Sequence, residues 1–275
     1  MRGSDSWLSE QRMKQKENNH GTIYNPQFAV KSYMKLLLLA HKVSDSDFWS
    51  ALLELTGGRT GLKMAFITTA GDHIEWVPEK KGSERYVAKL TELNPEERAK
   101  GDEWRQNHKA KFAEKGIEMI FVDLKDDPKE VKEKLESVDI IEVGGGDVNY
   151  LLDWAKKAGL DTYLKGLLDN GVIYTGTSAG AMLPQPDIGF TWWGPEEKWV
   201  GTDHVGLGIV NFITTGGPSD GEAEEEGIKR LVERKKYLNS VMNFPWKTFL
   251  LRDGQMIKVD GDKIEHVGVG IKESI

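Results

Sequence analysis

Apolar residues come in short runs separated by longer polar stretches with helical spacing. The first run, Leu36-Leu37-Leu38-Leu39-Ala40, is apolar at consecutive positions and so predicts a strand buried on both faces. A helix is expected over 46–55, ended by Gly57-Gly58. A second strand is expected over 62–68. A long charged helical region is expected over 84–115, with Tyr86, Val87, Leu90, Leu93, Trp104 and Phe112 as its buried positions. The pattern continues with a strand over 117–122, a helix over 128–135, a strand over 138–143, helices over 147–157 and 162–170, and a strand over 172–175. Strand alternating with helix predicts an α/β fold: a doubly wound, mostly parallel sheet with helices on both faces and right-handed crossovers.

Beyond Ala181 the regularity fades. A strand over 209–215 and a helix over 222–236 are the readable elements, the helix running from acidic to basic as its dipole favours. The segment 249–259 reads as a C-terminal β-hairpin turning at Asp253-Gly254. Residues 1–33 differ from the rest. They open with Met1-Arg2-Gly3-Ser4 and stay polar, and they read as a leader or tag-like extension ahead of one domain over 34–275. The opposing reading is a native N-terminal helix packing Tyr24, Phe28 and Tyr33 on that domain.

Composition narrows the chemistry. The chain of 275 residues has 39% hydrophobic residues and a formal net charge of −7, with no basic stripe, which argues against nucleic acid as a partner. It has no cysteine, so disulfides, cysteine nucleophiles and cysteine-bound zinc are excluded. No apolar run approaches membrane-spanning length, and a cytoplasmic protein that engages no membrane is expected. No cofactor and no metal is expected, and a homodimer is left open.

Two glycine-rich turns carry the candidate chemistry. Gly176-Thr177-Ser178-Ala179-Gly180 follows the 172–175 strand and precedes a helix start. This is the G-x-S-x-G pattern of a nucleophile elbow, with small neighbours that admit a substrate carbonyl. Gly144-Gly145-Gly146-Asp147 follows the 138–143 strand. Glycines there expose backbone N–H groups suited to an anion or oxyanion. Position 149 is Asn where a dinucleotide fingerprint wants a third spaced glycine, so a Rossmann cofactor site is not expected. Both turns fall at C-terminal strand ends, the edge where open α/β sheets bind ligands. Trp192, Trp193 and Trp199 lie where a substrate wall is expected, and equally serve as packing anchors for an irregular lid.

With those residues in view, the chain resembles the dipeptidase E (aspartyl dipeptidase) family of serine peptidases, which has a class I glutamine-amidotransferase-like fold. The resemblance runs from about Lys35 to the C-terminus. It rests on the opening Met34 to Leu39, on Val143-Gly144-Gly145-Gly146-Asp147, on Gly176-Thr177-Ser178-Ala179-Gly180-Ala181 and on Gly206-Leu207-Gly208-Ile209-Val210-Asn211-Phe212. It implies Ser178 as nucleophile and the Gly146 and Ala179 amides as oxyanion hole, with Gly145, Asp147, Trp192 and Trp193 around a small peptide. The family's histidine follows the Gly-Leu-Gly strand. Here that stretch reads Phe212-Ile213-Thr214-Thr215-Gly216-Gly217-Pro218, and no histidine lies between His204 and His266. Three readings follow. Another histidine serves, His204 or His73. A carboxylate such as Asp187, Glu196 or Glu197 activates the serine. Or the chain is a catalytically silent relative that binds without cleaving.

Overall fold

A computed structural model describes residues 33–40, 43–81, 86–191, 204–216, 224–241 and 244–275. Trp192, Trp193, Trp199, Glu196, Glu197 and the N-terminal extension other than Tyr33 lie outside the described residues.

The central sheet has the strand order β11-β10-β1-β7-β6-β2-β5. Its parallel part comprises β1 (Lys35–Leu39), β2 (Leu62–Ile67), β5 (Ile117–Val122), β6 (Ile140–Val143) and β7 (Ile173–Thr177). Beside β1, β10 (Met256–Asp260) runs antiparallel and pairs in turn with β11 (Lys263–Val267). Side chains alternate across the pleat. Leu36, Leu38, Ile67, Ile141, Val143 and Tyr174 therefore face one buried cluster, whereas Leu37, Leu39, Met64, Phe66, Ile140 and Ile173 face another. The second face is covered by α1 (Asp45–Thr56), through Ala51, Leu52 and Leu55, and by α2 (Pro95–Ala113), through Phe112. The first is covered by α3 (Pro128–Glu136), α4 (Val148–Lys157), α5 (Leu160–Asp169) and the single turn α6 (Ala179–Met182). This is the expected doubly wound α/β architecture.

Local signals set the element ends. Gly57 closes α1 at φ 63°. Asn94 and Glu97 form a reciprocal capping box at the start of α2, with Pro95 as its first residue. Asp127 caps α3 and Asp147 caps α4 through side-chain oxygens.

A smaller sheet, ordered β12-β9-β8, packs with α7 (Glu224–Val241) around Phe190, Ile213, Leu231, Leu238, Phe244 and Leu250. Its strands are β8 (Ile213–Gly216), β9 (Thr248–Leu251) and β12 (Glu273–Ser274). β8 and β9 pair in parallel, so α7 is their crossover.

Four expectations are corrected. The start of the 84–115 region is not helical: β3 (Ile74–Pro78) and β4 (Tyr86–Leu90) form an antiparallel ribbon, and the helix begins at Pro95. Leu90 and Trp104 are exposed rather than buried: Leu90 ends the two-stranded ribbon, and Trp104 stacks on His108 along α2 at a centroid distance of 4.8 Å. The Asp253-Gly254 turn forms, but it joins strands of different sheets. The C-terminal hairpin lies one connection later, between β10 and β11. The strand expected from residue 209 starts at Ile213, since the Ile209 and Val210 amides donate to Pro184 O instead of entering a ladder.

Candidate active site

The C-terminal ends of β6 and β7 are neighbours, with Val143 opposite Gly176. The two glycine-rich turns therefore lie side by side on one rim. Ser178, at the junction of β7 and α6, is exposed and has φ 52° and ψ −111°. Among the described residues it alone has a positive φ without being glycine. Such a conformation costs on the order of 1–3 kcal/mol and persists only where the surroundings fix it.

The surroundings do so. The Ser178 amide donates to Leu39 O at 3.1 Å, and Ser178 O accepts from the Ala181 amide at 2.9 Å. Beneath, the buried Tyr174 hydroxyl donates to Gly180 O at 2.6 Å, and burial holds its pKa well above 10.0. A methyl group on Gly176 would lie 2.3 Å from Gly180 O, and one on Gly180 would lie 2.1 Å from Val143 O. Glycine is required at both positions so that backbone can pack on backbone.

The Gly144–Asp147 turn touches the serine. A Cβ built on Gly145 would sit 3.3 Å from Ser178 Cβ and 3.9 Å from Oγ. Gly146 has φ 143°, and a Cβ there would fall 1.8 Å from Ala70 O. Gly145 and Gly146 are exposed, and the Gly146 and Ala179 amides donate to no described residue. Ser178 Oγ itself makes no hydrogen bond with a described residue.

His204 is buried and forms a pair with Asp187: Nδ1 lies 2.8 Å from Asp187 Oδ2. A carboxylate only accepts, so Nδ1 carries a proton. Asp187, 2% exposed, also accepts from the Gly189 amide at 2.5 Å through Oδ1. The pair is fixed by the bridge between Asp187 and Val205 and by the Ile188 amide donating to His204 O. In sequence His204 follows Asp203, yet its observed carboxylate partner is 17 residues upstream.

Asp147 has both carboxylate oxygens engaged. Oδ1 accepts from the Tyr150 amide at 2.8 Å, and Oδ2 accepts from the Trp76 indole Nε1 at 2.8 Å. The Asp147 amide donates to Ala70 O at 2.8 Å. The Tyr150 hydroxyl donates to Asp72 Oδ2 at 3.0 Å, and burial together with the Asp72 charge pushes its pKa up to about 12. Lys125 bridges Asp72 and Asp123. Burial works against the Asp123 charge, but hydrogen bonds from the Lys125 side chain and backbone and from Thr69 outweigh it and lower its pKa. Beside this network a groove of about 360 Å³ is lined by Ala70, Gly71, Asp72, His73, Ile74, Thr91, Gly146 and Asp147. Nothing in the periodicity singled out Trp76 or Asp72. The signal that was available is the aromatic and β-branched alternation of Ile74-Glu75-Trp76-Val77 after a β2 rim loop. Among the described residues no three His, Asp or Glu side chains converge as a metal site, and no helix is long and apolar enough to cross a membrane.

An open α/β sheet with an exposed, strained serine between two glycine turns is the class of structure that serine hydrolases use. The sequence pattern of peptidase family S51 matches residues 96–267, and the chain belongs to that family. Two crystal structures share its fold. One is a Listeria monocytogenes EGD-e protein assigned provisionally to peptidase E, with 18% identity over 86% of this chain and 99% of that one and a TM-score of 0.56. The other is a peptidase from an acI-B1 Actinobacterium, with 15% identity over 89% of this chain and 96% of that one and a TM-score of 0.55. No curated protein sequence matches the chain.

Proposed function

We propose that this serine-peptidase family member hydrolyses dipeptides or short peptides through an acyl-enzyme on Ser178. The observation that carries the reading is the exposed Ser178 at φ 52°, packed against Gly145 where β6 and β7 end. The Ser178 oxygen attacks the scissile carbonyl, and the Gly146 and Ala179 amides stabilise the tetrahedral oxyanion. His204 is the proposed base, with Asp187 as its orienting carboxylate. The order Ser178, Asp187, His204 along the chain and the proton on Nδ1 suit that role. The proton taken from Ser178 passes to the leaving amine, and water then releases the acyl group.

A fluorophosphonate probe tests the reading. The wild type is expected to label at one site, Ser178→Ala not at all, and His204→Gln slower by roughly 10³-fold or more. Turnover of an aspartyl-dipeptide panel is expected to fall in parallel. That Ser178 Oγ makes no hydrogen bond with a described residue favours a second reading, a silent relative that binds peptides uncleaved. A folded wild type that neither labels nor turns over the panel selects it.

A further inference from the structure

We infer that Trp76, on the β3–β4 ribbon, is a positioning residue for the Gly146 amide, acting through Asp147. The inference rests on the peptidase reading of Ser178. Three consecutive glycines give the Gly144–Gly146 backbone little conformational preference of its own, so its amide directions depend on what surrounds it and holds its ends. The entry is held by the Gly144 amide donating to Ile67 O at 3.0 Å. The exit is held at Asp147, whose amide donates to Ala70 O. Asp147 divides its carboxylate between two tasks. Oδ1 caps α4 through the Tyr150 amide, and Oδ2 receives the Trp76 indole. The indole bond is the one direct hydrogen bond between the ribbon and this turn among the described residues, and it joins groups 71 positions apart. It ties Asp147 to the ribbon, and the Asp147 backbone closes the glycine turn one residue after the Gly146 amide. An oxyanion donor displaced by a fraction of an ångström loses much of its worth, because its value lies in being aimed beforehand.

The test compares Trp76→Phe, Asp147→Asn and the double variant in fluorophosphonate labelling. Asn still caps the helix, but it meets the indole with an uncharged group. Each single variant is expected to label roughly tenfold to a hundredfold more slowly than wild type while reaching the same final stoichiometry. The double variant is expected to be no slower than the worse single one, since both break the same link. With a dipeptide substrate kcat falls and KM holds. A lower labelling endpoint, or single effects that multiply in the double variant, overturns the inference in favour of a merely structural contact. Trp76→Phe labelling at the wild-type rate overturns it outright. A wild type that does not label removes the peptidase reading itself, and this inference with it.

Discussion

Glycines at the rim and glycines in the helices answer to different physics, and substitution separates them. Gly180→Ala would place a methyl 2.1 Å from Val143 O, between two backbones that cannot yield without moving a central strand. It is expected to cost about 3 kcal/mol or more and to lower the urea midpoint sharply. Gly166 in α5 has nothing within 4 Å of such a methyl. Gly166→Ala is expected to raise stability by about 0.5–1 kcal/mol through helix propensity alone. At this scale the sequence was informative about placement: the two glycine-rich turns lie side by side, Gly145 against Ser178. It was uninformative about partners. Asp187 meets His204, and Trp76 meets Asp147, through hydrogen bonds between positions 17 and 71 apart, which leave no periodic trace.

Elements with a core behind them were legible, and those without one were not. β2, β5, β6 and β7 fall close to where their apolar runs lie, because burial from both sides keeps most of their positions apolar. β4 falls inside the region expected to be helical because its residues are at most half-buried and the adjoining helix is charged. α2 shows how little burial such a helix needs. Among its buried residues is Phe112, while its N-terminus is secured by the Asn94 box. Asn94→Ala is therefore expected to cost about 1 kcal/mol, read as a lower urea midpoint with an unchanged slope. The 249–259 segment misled for another reason. Gln255 is wholly buried just past the turn: its Oε1 accepts from the Arg252 amide, and its Nε2 donates to the Val269 and Ile271 carbonyls. Those bonds take the place of a hairpin ladder and send β9 and β10 into different sheets.

The two sheets meet near His266. Its Nε2 lies 3.0 Å from Gln255 Oε1, and its ring meets Phe249 edge-on at 6.0 Å. Burial, and then the Lys272, Arg252 and Lys247 charges, lower its pKa below 6.5. The folded molecule therefore prefers the neutral ring, whereas the unfolded chain takes up a proton as the pH drops past about 6.5. Stability is present above that value and declines as the pH falls through the folded pKa. This loss begins well above the range of Asp123, whose pKa lies below 3.8. Urea midpoints between pH 7.5 and 5.5 are expected to decrease for wild type and to decrease less for His266→Gln.

The rim also dictates when activity can arise. Leu39 holds the Ser178 amide, Ala70 confines Gly146, and Val143 abuts Gly180, so segments from positions 39 to 180 must all be docked before the serine acquires its backbone angle. Non-local assembly of this kind is slow. During refolding, labelling competence should lag behind the return of helical circular dichroism. A partly made chain would thus carry a dormant hydroxyl, harmless to its neighbours until the last crossover locks.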